Sequence, residues 1–292
     1  MASFEPRDLS TSKLHSYLLN AIAPRPIAFA STVDEKGTPN LSPFSFFNVF
    51  SANPPILIFS PARRVRDNTT KHTLQNIEKT KEVVINVVNY DLVHQMSLTS
   101  SEYPEGVNEF DKAGLTMLES DMVKPFRVAE SPVQFECKVN EIKALGDQGG
   151  AGNLVICEVV KFHIDGEVLN EDKTINQTKL DLVSRAGGSV YARAKKGFFE
   201  IPKPISSQGI GVDSFPDFVK NSMILTGNDL GMLGNVEMLP SETEVELFVN
   251  DLSHRYPNIK TASHREKHKL ARNYLSFGDV ESAWKILLSK SK

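Results

Sequence analysis

Between residues 10 and 21 apolar positions recur at helical spacing. Leu14, Leu18 and Leu19 form one stripe, Ser10 or Ser12 stands where a cap is needed, and Pro24 ends the segment. From there to about residue 165 the period shortens to that of strands. Residues 26–33 (PIAFASTV) run into DEKG at 34–37, a turn with Gly37 available for positive φ, and on into TPNLSPFSFF. Residues 56–59 (ILIF) and 83–88 (VVINVV) are short apolar runs of the kind a fully buried strand shows. Val133, Phe135, Cys137 and Val139 alternate with Gln134, Glu136 and Lys138, the pattern of a half-buried antiparallel strand. Gly146, Gly149, Gly150 and Gly152 then form a loop back into a strand over 154–164. Helical patches interrupt at 68–81 and 91–101, the second with Asp91 placed to cap it.

Many strands with hairpin-like joints and few helices predict a mainly β fold with peripheral helices, a closed antiparallel barrel rather than a parallel sheet. Residues 170–240 are less periodic and richer in Gly and Pro, and are expected to wrap the barrel. After Pro240 the composition changes: only Gly278 and Pro257 interrupt a helical pattern with a small basic excess. Leu270, Tyr274 and Phe277 share one face, Gly278–Asp279 break it, and Ala283, Ile286 and Leu287 resume it. The expected organisation is a β domain over 1–240 and a C-terminal helical hairpin over 241–292, which suits a length of 292 residues.

Composition excludes more than it assigns. Hydrophobic residues at 40% and charged residues at 24% fit a globular chain, and a net charge of −3 gives no reason to expect nucleic acid or an anionic membrane as a partner. No apolar run approaches the ~20 residues of a membrane helix, and MASFEPRDLS lacks the charged and apolar regions of a secretory signal. Two cysteines, Cys137 and Cys157, offer neither a disulfide framework nor a zinc site and suit the cytoplasm. Phenylalanine is in surplus, 17 against 6 Tyr and 1 Trp, and Phe44, Phe46, Phe47 and Phe50 crowd one stretch.

P-loop and nucleophile-elbow motifs are missing from the sequence, and Gly227, Gly231 and Gly234 have the wrong spacing for a dinucleotide fingerprint. His264 and His268 stand four apart, but HREKH puts Arg where a zinc protease needs Glu, so no metal is expected and a charged helix face explains the pair. The positive signal is RRVRDNTTKHT at 63–73. It follows a strand ending at Ser60 and opens a helix, where free N–H groups, cations and hydroxyls make an anion site; a basic surface loop is the alternative. Upstream, Ser and Asn thread the Phe-rich stretch 42–51, which reads either as core packing or as an apolar slot with a few placed polar groups. A flat heteroaromatic ligand with a phosphate tail needs both slot and anion site.

Arg25-Pro26-Ile27-Ala28-Phe29, then Asn40-Leu41-Ser42-Pro43-Phe44-Ser45-Phe46-Phe47-Asn48, then Asn53-Pro54-Pro55 resemble the flavin reductase-like family of FMN-binding split β-barrel proteins. Lys71-His72-Thr73-Leu74-Gln75-Asn76-Ile77 is similar to the family's K-D-T-x-x-N-I helix start, with His72 in place of Asp. The likeness continues through 160–165 and 184–191. It implies a split barrel, FMN at a homodimer interface, and hydride transfer from NADH or NADPH to flavin. By position, Arg25, Ser42, Ser45, Phe47 and Asn48 would line the flavin, and Ser60, Arg66, Lys71 and Thr73 would take its phosphate. His163, Arg185 and Tyr191 would sit near the ring or the nicotinamide, His163 being the one catalytic candidate, although a satisfied core histidine fits its strand equally.

The two cofactors carry out hydride transfer between them, so the lack of an acid–base triad is no objection. Two other readings stay open: a flavoprotein that retains FMN and reduces another small substrate, and an FMN-binding carrier without turnover. In the tail, residues 270–287 resemble most of one tetratricopeptide repeat, a pattern that convergent hairpin packing also produces. A lone repeat cannot bury a core by itself, so these helices need the barrel, a dimer mate or a protein partner to pack on.

Overall fold

The computed structural model describes residues 1–202 and 208–290. Two compact units divide the chain at Phe199/Glu200. In the first, helix α1 (Thr11–Ala21) starts at Ser10, whose side chain accepts from the Lys13 N–H. Strands β1 (Ala28–Val33), β2 (Pro39–Phe44), β3 (Phe47–Ala52) and β4 (Pro55–Phe59) follow, then α2 (His72–Thr80) and β5 (Glu82–Val87). Short helices α3 (Val93–Leu98) and α4 (Glu109–Ala113) precede the small ladder of β6 (Met117–Leu118) and β7 (Arg127–Val128). Two long strands, β8 (Val133–Ala144) and β9 (Asn153–Ile164), form a hairpin, and α5 (Gln177–Leu180), β10 (Val183–Arg185) and β11 (Tyr191–Arg193) complete the unit.

The main sheet is antiparallel, with seven strands in the order β2-β1-β5-β8-β9-β4-β3. Its pairing stays open: β2 and β3 are the edges, joined through residues 45 and 46 but by no ladder among the described residues. The sheet nevertheless curls. Phe44 on β2 meets Phe59 on β4 with ring centroids 5.4 Å apart, although four strands separate them in sheet order. The alternation of strand side chains supplies two cores. Ala28 and Ala30 face the inside with Leu57, Val83, Ile85 and the α2 residues Leu74 and Ile77. Ile27 and Phe29 face outward under Leu92, Met96 and Phe110 of the α3–α4 segment. β1 is thus buried on both sides along its whole length, Ser31 and Thr32 included.

Several expectations change. Asp91 does not cap α3: the N-cap residue is Leu92, whose N–H bonds to the Asn89 side chain. β4 alternates instead of being wholly buried. Conversely, Gln134 and Glu136 on β8 are buried with partners: Gln134 donates to the Val128 and Ser131 carbonyls, and Glu136 accepts from the Asp121 and Met122 N–H groups and from His163.

The largest change concerns the described residues of 200–240, which cluster with the C-terminal helices. There α6 (Asp217–Lys220) and α7 (Gly227–Leu233) join α8 (Glu242–Arg255), α9 (His264–Ser276) and α10 (Val280–Leu288) around one core. Phe215, Val219, Leu225 and Leu233 are buried with Val249, Leu275 and Trp284, so the Gly/Pro-rich segment belongs with the helices, and the unit boundary precedes the composition change at Pro240. Trp284 is fully buried, donates from Nε1 to the Leu233 carbonyl at 2.9 Å and meets Phe215 edge-on at 4.9 Å. Phe277 does not share the packed face; it ends α9 and is exposed, and Ala271 and Leu275 are buried instead. His268 is buried with Nδ1 on Ser222 Oγ at 2.7 Å.

Candidate functional site

A cavity of about 560 Å³ opens in the first unit between α1, the β2–β3 corner, the end of β4 and the start of α2. It is within the usual range for small-molecule sites. Its lining includes Arg25, Ser45, Ser60, Lys71, Arg185 and Tyr191, six of the residues singled out above. It holds cationic and polar groups and aromatic rings but no carboxylate. Such a wall attracts an anion with a flat apolar part.

The start of α2 supplies the strongest anion-binding features. Lys71 is its N-cap residue and no side chain caps the helix, so the first N–H groups lack partners from within it. Lys71 Nζ stands 5.3 Å from the Phe44 ring centroid. Burial, with Arg64 second, holds the ammonium below the usual lysine range. On the same wall Ser60 is 7% exposed and its Oγ has no hydrogen-bond partner. A buried hydroxyl without a partner carries a penalty that a ligand oxygen would remove. An oxyanion such as a phosphate therefore fits the residues present.

Arg25 organises another wall. The residue is 7% exposed, and its guanidinium donates to the carbonyls of Leu19, Ile22 and Ala186 and to Ser45 Oγ. The first two carbonyls lie at the C-terminal end of α1, where a cation also complements the helix dipole. Backbone bonds between Arg25 and Arg185, 2.8 Å in each direction, bring the 185–191 segment alongside. There Arg185 donates to Tyr191 Oη and the Gly188 carbonyl while stacking on the Tyr191 ring at 4.6 Å.

The other predicted residues lie elsewhere. Ser42 is half-buried on β2 opposite Ala30, Phe47 packs against the inner core, and Asn48 is exposed with its side chain accepting from the Val49 N–H. Arg66 is exposed and paired with Asp67 and Glu102. Arg63 and Arg64 close the 63–70 loop on Asn68, Thr69 and Thr70. Thr73 is fully buried and donates to Asn40 Oδ1 at 2.8 Å. His163 is bonded to Glu136 Oε1 at 2.7 Å and is not part of the cavity wall. With Asp121 these two form a compact acid–histidine group, but Asp121 is paired with Lys161 and both Glu136 oxygens accept backbone N–H groups.

Sequence reasoning missed one whole face of α1. Ser12, His15, Ser16, Leu19 and Asn20 all line the cavity. Their spacing of i, i+3, i+4, i+7 and i+8 is that of one helix stripe. The signal was present as a second, mixed-polarity stripe beside the leucines.

Comparison with known proteins identifies the family. The sequence profile described as "Flavin reductase like domain" matches residues 21–183, more than half of the chain. The chain belongs to the flavin reductase-like family. An uncharacterized protein of Aquifex aeolicus is 36% identical over 191 residues, covering 65% of this chain and 95% of its own. Among solved structures, nitrilotriacetate monooxygenase component B from Bacillus cereus superposes with a TM-score of 0.64 at 28% identity, over 70% of this chain and 98% of that one. The 2-nitrobenzoate 2-nitroreductase NbaA from Pseudomonas fluorescens shares the fold, with a TM-score of 0.63 at 22% identity, over 72% of this chain and all of that one. At the level of the family this is a flavin-related oxidoreductase. Among the described residues no helix is long and apolar enough to cross a membrane.

Proposed function

We propose that this protein binds FMN in the cavity beside α2 and is an oxidoreductase that passes a hydride from NADH or NADPH to the flavin. The observation that carries the reading is the meeting, in one cavity, of the uncapped α2 N-terminus, Lys71 and the buried unpartnered Ser60 hydroxyl with the aromatic Phe44 and Phe46. Lys71 Nζ, Ser60 Oγ and the first α2 N–H groups would hold the phosphate; Arg25, Ser45, Arg185 and Tyr191 would line the ring end. When bound, FMN supplies the hydride-accepting ring. The chain's part is to bind, to orient and, through α1, to cover the site against water.

A homodimer accords with edge strand β3, whose Val49 and Phe50 are each more than 60% exposed, an unusual place for large apolar side chains. Cytoplasmic residence accords with two buried free thiols.

Anaerobic addition of NADH and NADPH to the FMN-loaded protein tests the activity. Bleaching of the visible flavin band by either nucleotide is the expected result. Flavin that binds and stays oxidised would make the chain a carrier instead.

A further inference from the structure

Behind the α2 N-terminus runs a buried polar chain that touches no part of the cavity. Glu109 on α4 is 4% exposed, Asn40 on β2 is 7% exposed, and Thr73 is fully buried. Glu109 Oε2 accepts from the Leu41 N–H at 3.0 Å and Oε1 accepts from Asn40 Nδ2 at 2.9 Å; Asn40 Oδ1 accepts from Thr73 Oγ1 at 2.8 Å. The polarity of the chain follows from the groups. A carboxylate only accepts, so the Asn40 amide nitrogen must face Glu109; its oxygen then faces Thr73, whose single hydroxyl proton is committed to it. Thr73 therefore has no proton left for a phosphate, although its place in the sequence suggests one.

The same face of α2 carries a second tie three residues on, Asn76 Nδ2 to Thr32 Oγ1 at 3.1 Å. Two bonds to β1 and β2 fix how far the helix start reaches toward the cavity. Lys71 lies two residues before Thr73.

We propose that Glu109, acting through Asn40 and Thr73, is a positioning residue that sets the α2 N-terminus for the phosphate end of the ligand. This inference rests on the FMN reading of the cavity. It predicts selectivity between two ligands that share a ring and differ in the phosphate. Glu109→Ala should weaken FMN binding about five- to tenfold and leave riboflavin binding within about twofold of the unaltered protein. Asn40→Ala cuts the chain at its centre and should give the same FMN-only loss, so it decides the matter if Glu109→Ala does not fold. Both affinities are read by quenching of flavin fluorescence on the full chain. Equal weakening of both ligands, or no weakening of either, overturns the inference. Failure of the unaltered protein to bind FMN overturns the FMN reading itself.

Discussion

Gly187 lies directly under the Asn20 amide: a Cβ there would stand 2.0 Å from Asn20 Oδ1, so that side chain would have to turn away. The contact sets the 185–191 segment against one end of α1 beside the cavity, although α1 buries no residue of its own. Gly187→Ala should turn the Asn20 amide out of its place and off the Ser16 carbonyl, weaken FMN binding about threefold, and change the urea midpoint little, since almost no apolar surface is lost. FMN titration and urea unfolding measure the two effects; undiminished FMN affinity would remove Asn20 from the site.

Arg25 holds α1 from the other side. Arg25→Ala leaves the Leu19, Ile22 and Ala186 carbonyls without their charged donor and should cost about 2–3 kcal/mol in urea unfolding. Arg25→Lys should recover little of this, because one ammonium cannot reproduce the fork that reaches all three carbonyls.

These two contacts show what the sequence conceals. Ser10, the leucine stripe and Pro24 made α1 legible as a helix, and strand alternation made β1, β5, β8 and β9 legible, because local periodicity reports local structure. Which stripe of α1 would face a ligand depends on Arg25, Gly187 and Arg185, which come together only in the fold. Thr73 and Arg66 stood in the right motif, yet one turns inward to Asn40 and the other outward to Glu102. The Gly/Pro-rich segment 200–240 hid its allegiance because Phe215, Val219 and Leu233 are scattered without a period.

Lys71 supplies a pH dependence. FMN binding needs its charged form, so affinity should fall as pH rises through its folded-state value, which burial keeps below the ordinary 10.5. Stability of the unliganded chain should move oppositely. Between the folded and unfolded values the unfolded chain holds more of this proton, so stability rises with pH there. Lys71→Arg should shift the loss of affinity to higher pH; an unaltered profile would take Lys71 out of the phosphate site.

The unit boundary can be tested by truncation. A chain ending at Phe199 should stay soluble and bind FMN, because the cavity lies wholly in the first unit. One ending at Pro240 should aggregate, since Phe215, Val219, Leu225 and Leu233 would lose the helices that bury them. Light scattering distinguishes the two, and equal solubility would contradict the boundary.

The most direct measurement is equilibrium titration of the flavin-free protein and its Lys71→Ala and Ser60→Ala variants with FMN. The unaltered chain should bind, and each variant should bind about tenfold or more weakly, the loss expected for a charge-assisted hydrogen bond in the lysine variant. Absence of FMN binding, or binding that neither substitution weakens, would contradict the placement of the phosphate beside α2.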